Sequence, residues 1–144
     1  MKKVLIDTCI VIDFLQKREP FANDALRFFR AAAGELFAGY ITAKSATDIY
    51  YLDHRATHSD AESRKKLRSL LTIIGMADSA AIDVFQALAS GLPDFEDAVM
   101  AETAKRIGAD CIVTRNRKDY AKAAVAVCTP AEFLDSLLSS EGEL

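Results

Sequence analysis

The sequence predicts an α/β domain in three layers, α/β/α, with a mainly parallel sheet of about five strands covered by helices on both faces. Three observations predict it. Strand-like and helix-like segments alternate along the whole chain. The best strand candidates, Val4–Ile6 and Cys111–Val113, are short continuous apolar runs, as expected of strands buried on both sides. Each run ends in a polar residue, Asp7 or Thr114, at the strand end where parallel sheets collect functional groups.

After Val4–Ile6, the residues Ile10, Phe14 and Leu15 recur near helical spacing. Pro20 opens a second helix whose apolar face is Ala25, Leu26, Phe28 and Phe29. Gly39–Thr42 reads as the second strand and 43–55 as a helix. Ser59 or Asp60 caps the next helix, 61–71. Residues 73–77 are the third strand. Asp78 or Ser79 begins a helix ending near Gly91-Leu92-Pro93. A strong helix over 94–107 stops at Gly108. After Cys111–Val113 comes a short strand at 125–127. Pro130 then starts a helix carrying Phe133, Leu134, Leu137 and Leu138. The 144 residues fit one domain, 1–138, followed by a short polar tail at 139–144.

Composition excludes several classes. Eighteen basic and 21 acidic residues give a net charge of −3, which excludes nucleic-acid binding through bulk positive charge. No apolar run reaches the roughly 18–20 residues of a membrane span, and Asp7 breaks the brief signal-like start. Three cysteines without a CxxC pair argue against a disulfide framework, and a cytoplasmic setting is expected. With only His54 and His58, no zinc-like spacing exists, so any metal would be a hard cation held by oxygens.

The acids carry the chemical interest. Asp7 either caps the following helix or, with Thr8 as cap, projects from the strand end. Asp94 and Asp97 share a helix face, and Asp94 reads mainly as a cap. Asp48 lies among residues expected to be buried and needs a partner, either a basic side chain or a metal. Asp119 follows Arg115-Asn116-Arg117-Lys118. That run is either a polar loop or a set of groups placed beside a metal and a phosphate. Arg64-Lys65-Lys66-Leu67-Arg68 reads as a solvated helix face. Tyr50 and Tyr51 read as packing residues, and Cys111 and Cys128 as core.

The ordered series resembles the PIN-domain ribonuclease family, including the VapC-like toxins of type II toxin–antitoxin pairs. The residues carrying the resemblance are Val4-Leu5-Ile6-Asp7-Thr8-Cys9, Thr42, Thr47-Asp48-Ile49, Asp94-Phe95-Glu96-Asp97-Ala98, Gly108-Ala109-Asp110, Ile112 through Tyr120, and Thr129 through Leu134. It spans nearly the entire chain.

The resemblance implies a magnesium or manganese site made by Asp7, Asp97, Asp48 and Asp119, with Thr114 and Asn116 beside them. Asp48 stands where many members carry Glu, so its contact is expected to run through water. Arg115, Arg117 and Lys118 are expected to meet the RNA backbone. A cognate antitoxin and a homodimer are implied as partners. Clustered carboxylates repel one another, and a divalent ion relieves that repulsion. Setting the four proposed ligands aside moves the net charge from −3 to +1.

The rival reading is a catalytically weak interaction module on the same fold, motivated by the shortened acid at Asp48. A phosphatase would need a second acid in Asp7-Thr8-Cys9. A receiver domain would need a phosphoacceptor Asp after its central strand and a Lys after its last strand, and the sequence does not place both.

Overall fold

The computed structural model describes residues 1–120 and 123–142; the side chains of Asp119 and residues 140–142 lie outside that description. Among the described residues, five strands form one all-parallel sheet in the order β3-β2-β1-β4-β5. They are β1 (Lys3–Ile6), β2 (Ala38–Thr42), β3 (Gly75–Ala77), β4 (Cys111–Val113) and β5 (Ala126–Cys128). The chain builds one side of the sheet from β1 outward, then returns to add β4 and β5 on the other. The order therefore reverses between β1 and β4, where an open α/β sheet leaves its ligand crevice.

The pleat sorts the core into two faces. Val4, Ile6, Ile41, Cys111 and Val113 point to one side. There they meet α1 (Thr8–Leu15), α2 (Ala22–Ala33), α3 (Ala43–Thr57), α4 (Asp60–Leu70) and α7 (Pro130–Gly142). Phe28, Phe37 and Phe133 interlock at the centre of this layer, with ring centroids 4.8–5.8 Å apart. Leu5 and Ile112 point the other way, onto Met100, Ala101 and Ala104 of α6 (Phe95–Ile107). Small residues at 98, 101 and 104 let α6 lie close to the sheet. Helix α5 (Ala81–Leu88) packs on α6. The three-layer arrangement is the one expected.

The expected caps are also found. Ser59 accepts the Glu62 amide at 3.2 Å, and Gly108 ends α6 at φ +72°. Asp94 Oδ1 accepts the Asp97 amide at 3.0 Å, which makes Asp94 a cap. Asp94→Ala is expected to cost about 1 kcal/mol of stability, read as a lower denaturant midpoint; an unchanged midpoint would contradict the cap.

Several boundaries differ from expectation. β3 begins at Gly75 because Ile73 and Ile74 belong to the turn after α4. Helix α5 begins at Ala81 rather than Asp78 or Ser79, since Asp83 reaches back to accept the Ala80 amide at 3.2 Å. α7 continues to Gly142, so part of the polar tail is helical.

Three buried acids are paired with cations and pin helices together. Asp53 joins α3 to α4 through Ser63 and Lys66, at 2.7 and 3.1 Å. Asp83 joins α5 to α6 through Thr103 and Arg106, at 3.0 and 2.8 Å. Asp13 in α1 meets Arg115 Nε at 2.8 Å, close enough for an ion pair though not aligned as a hydrogen bond. Burial pushes the Asp13 carboxyl up, and the charges of Arg115 and Arg18 pull it back.

Candidate active site

β1 ends at Ile6, so Asp7 is the first residue beyond the sheet at the point where the strand order reverses. Its amide donates to the Val113 carbonyl at 3.0 Å, extending the β1–β4 ladder by one rung. Asp7 sits at the N-cap position of α1 but makes no side-chain cap bond. Thr8 does not cap in its place: its hydroxyl donates to Ser45 Oγ at 3.2 Å. The Asp7 carboxylate instead accepts from the Thr114 hydroxyl at 2.7 Å and from the Tyr120 hydroxyl at 3.4 Å.

Unlike Asp13, Asp53 and Asp83, Asp7 is surrounded by hydroxyls and amides. Burial pushes its pKa above the ordinary aspartate value, and the Thr114 hydrogen bond opposes that rise. Such a carboxylate is costly to ionise until a cation arrives.

Asp97 approaches the same place from α6. Tyr120 lies between the two acids: its hydroxyl donates to Asp7 at 3.4 Å and feels the negative charge of Asp97. Burial, then the negative charges of Asp7 and Asp97, push the Tyr120 pKa far up, so the phenol stays protonated and donates. The aromatic ring is anchored beside Leu5, Met100 and Ile112. The sequence hinted at this residue only through its place after Asp119.

Asp7, Asp97 and Asp48 all line one cleft of about 490 Å³. Asp48 is engaged differently from the other two. Lys44, one helical turn earlier, holds Asp48 Oδ2 at 2.6 Å and also pairs with Glu96 across from α6. Burial works against the Lys44 charge, but its hydrogen bonds to Asp48 and Glu96 keep its pKa above the ordinary lysine value. The basic-partner solution for Asp48 is therefore the one present. The Lys44–Asp48 spacing of four residues was a legible signal for it.

The segment after β4 divides its roles. Thr114 is fully buried and holds Asp7. Asn116 supports it through its backbone, whose amide donates to Thr114 Oγ1 at 3.1 Å. Arg115 pairs with Asp13 and lies over the Phe21 ring, 4.1 Å from its centroid. This ties its guanidinium to the scaffold, while the residue also lines the depression that Arg117 and Lys118 border. Arg117 pairs with Glu132 at 2.7 Å. Arg117, Lys118 and Asn116 border a second depression, which shares Tyr120 with the cleft. The side chain of Asp119 lies outside the described residues.

The donor set is entirely oxygen and suits a hard cation such as magnesium or manganese. Among the described residues, no group of three or more His, Cys, Asp or Glu side chains is gathered tightly enough to enclose an ion. Magnesium commonly takes few protein carboxylates and keeps several of its waters. Asp7 and Asp97 would hold it.

A parallel α/β/α sheet with an acid-bearing cleft at its switch point defines a class of domains that act on ligands at the ends of their central strands. The family model for the PIN domain matches residues 3–118, and the chain belongs to the PIN domain family.

Solved structures share the fold. FitAcB from Neisseria gonorrhoeae is 18% identical with a TM-score of 0.69, covering 89% of this chain and 98% of that one. A toxin–antitoxin complex from Klebsiella pneumoniae is 20% identical with a TM-score of 0.66, covering 88% and 97%. VapC20 from Mycobacterium tuberculosis, a Sarcin-Ricin loop cleaving toxin, is 15% identical with a TM-score of 0.61, covering 76% and 86%. No curated protein matches the sequence. Among the described residues, no helix is long and apolar enough to cross a membrane.

Proposed function

We propose that this chain is a ribonuclease dependent on magnesium or manganese and the toxin of a type II toxin–antitoxin pair, acting in the cytoplasm. The observation that carries the reading is the meeting of Asp7 and Asp97 at Tyr120, in the crevice between β1 and β4. PIN family membership and the toxins among its structural neighbours support it.

In the proposed reaction, water adds to phosphorus as it loses a proton to solvent, the bond to the leaving ribose oxygen breaks, and that oxygen takes up a proton from solvent. Asp7 and Asp97 supply the carboxylate oxygens for the ion, with Asp119 and a water-mediated contact from Asp48 completing the set. A divalent cation bound there would acidify a water and offset charge on the phosphate. Thr114 fixes the Asp7 carboxylate through its hydroxyl, and Asn116 holds Thr114. Tyr120 orients both carboxylates while keeping its proton. Arg117 and Lys118 lie on the adjoining depression, where an RNA backbone would leave the cleft.

A cognate antitoxin would block this cleft. A homodimer belongs to the same proposal, supported by Ile82, Phe85 and Leu88, exposed along one face of α5.

The test is cleavage of RNA by the purified chain in magnesium or manganese, and its loss in a chelator. Cutting that persists in the chelator would refute the metal requirement. Thr114→Val removes a bond that lowers the Asp7 pKa. The acidic limb of the rate profile should therefore move to higher pH, and an unmoved limb would deny Thr114 this role.

One observation favours the catalytically weak module. Lys44 already neutralises the acid in the third ligand position. Metal titration separates the readings: no magnesium or manganese binding, with partner binding retained, would select the module.

A further inference from the structure

Lys44, Asp48, Tyr51 and Arg55 follow one another at spacings of four, three and four residues, so they form one stripe along α3. All four line the cleft that holds Asp7 and Asp97. The stripe begins at the acids and ends on the exposed cation of Arg55. Tyr51 was expected to pack, yet it is 64% exposed and touches Tyr50 edge-on, with centroids 5.0 Å apart. Phe95 lies on the α6 wall, two residues before Asp97, and is 49% exposed. The Lys44–Glu96 pair spans from α3 to α6 and holds the two walls together at the acidic end.

Two exposed aromatic rings beside an acidic floor suit a ligand with a flat π-face next to a phosphate. An unpaired nucleotide has both. In duplex RNA the bases are stacked inward, whereas unpaired bases splay onto aromatic side chains. The volume of about 490 Å³ lies in the range of small-ligand sites. Arg55 supplies a charge complementary to the next phosphate.

We infer that Tyr51 and Phe95 stack an unpaired base beside the phosphate to be cut. The inference rests on the nuclease reading. The rival occupant of this wall is an apolar protein segment.

The test uses full-length protein and a single-stranded RNA carrying 2-aminopurine, with calcium as the hard cation and intact RNA confirmed after each titration. Affinity is read by fluorescence and compared with a duplex of the same sequence. Cleavage is measured separately in manganese. Tyr51→Ala and Phe95→Ala should each weaken single-strand binding by about 5- to 150-fold. KM should rise while kcat holds, and Tyr51→Phe, which keeps the ring, should bind like the wild type. Circular dichroism confirms that the variants fold.

Unchanged affinity in both alanine variants, equal binding of the duplex, or a Tyr51→Phe defect as deep as that of alanine would overturn the inference. Unchanged RNA binding with lost self-association or antitoxin binding would overturn it in favour of a protein contact. If the wild type fails to cut but ring-dependent binding persists, the base site stands and the nuclease reading falls.

Discussion

Asp97→Asn should lower RNA cleavage by at least about 10²-fold while the protein stays folded, the scale of losing one charge-stabilising group from an active site. Asparagine keeps the shape of the side chain and removes its charge. The cap of α6 survives, because Asp94 accepts the backbone amide of residue 97 and not its side chain. The helix loses one acidic residue from its first turn, about 0.3–1 kcal/mol, while the amide oxygen still offers Tyr120 an acceptor. Cleavage assays paired with denaturant unfolding separate the two effects. Wild-type activity in the variant would remove Asp97 from the site.

Asp7→Asn should abolish cutting as well, with the opposite effect on stability. Burial raises the Asp7 pKa above 3.8, so the folded chain holds this proton more tightly than the unfolded chain. The stability this contributes is present below about pH 3.8 and is lost as pH rises through the folded value. In a chelator near neutral pH, Asp7→Asn should therefore unfold at higher denaturant than the wild type, with the difference shrinking toward pH 4. A difference that grows on acidification would contradict the sign.

Arg115→Ala should cost about 3 kcal/mol of stability, because it strands the fully buried Asp13 carboxylate without its cation. The loss also removes the guanidinium from the Phe21 ring. Replacing both members, Asp13→Leu with Arg115→Met, should recover most of it, since a buried ion pair is often replaceable by apolar groups. Equilibrium unfolding measures both variants. A destabilisation below about 0.5 kcal/mol, the ordinary scale for a surface substitution, would contradict the role of Arg115 as the cation of Asp13.

The fold was legible where local signals agreed. Val4–Ile6 followed by Asp7 reads as a buried strand with an acid at its exit, and the structure has that form. The α6 segment carries a cap, a first-turn acid, small packing residues and a terminal glycine, all pointing to one helix. The ends of α5 were harder to read, because Asp78, Ser79 and Asp83 all offer side chains able to start a helix.

The site was legible as a set of acids but not as a set of pairings. Asp48 and Asp97 look alike in sequence; the spacing of Lys44 to Asp48 is readable, but only the fold brings Glu96 of α6 to Lys44 of α3. Asp13 is masked by the apolar run of α1, although an acid in such a run requires a partner. Tyr51 reads as a packing residue because its neighbours are apolar, yet it is exposed. Ile49 is buried, and two residues further along a helix is the opposite face.

The central claim is that one divalent ion is shared by Asp7 and Asp97. Anomalous diffraction from crystals soaked in manganese tests it most directly. A manganese peak is expected within coordinating reach of both carboxylates, beside Tyr120. A peak that touches neither acid, or ordered manganese only elsewhere on the surface, would contradict it.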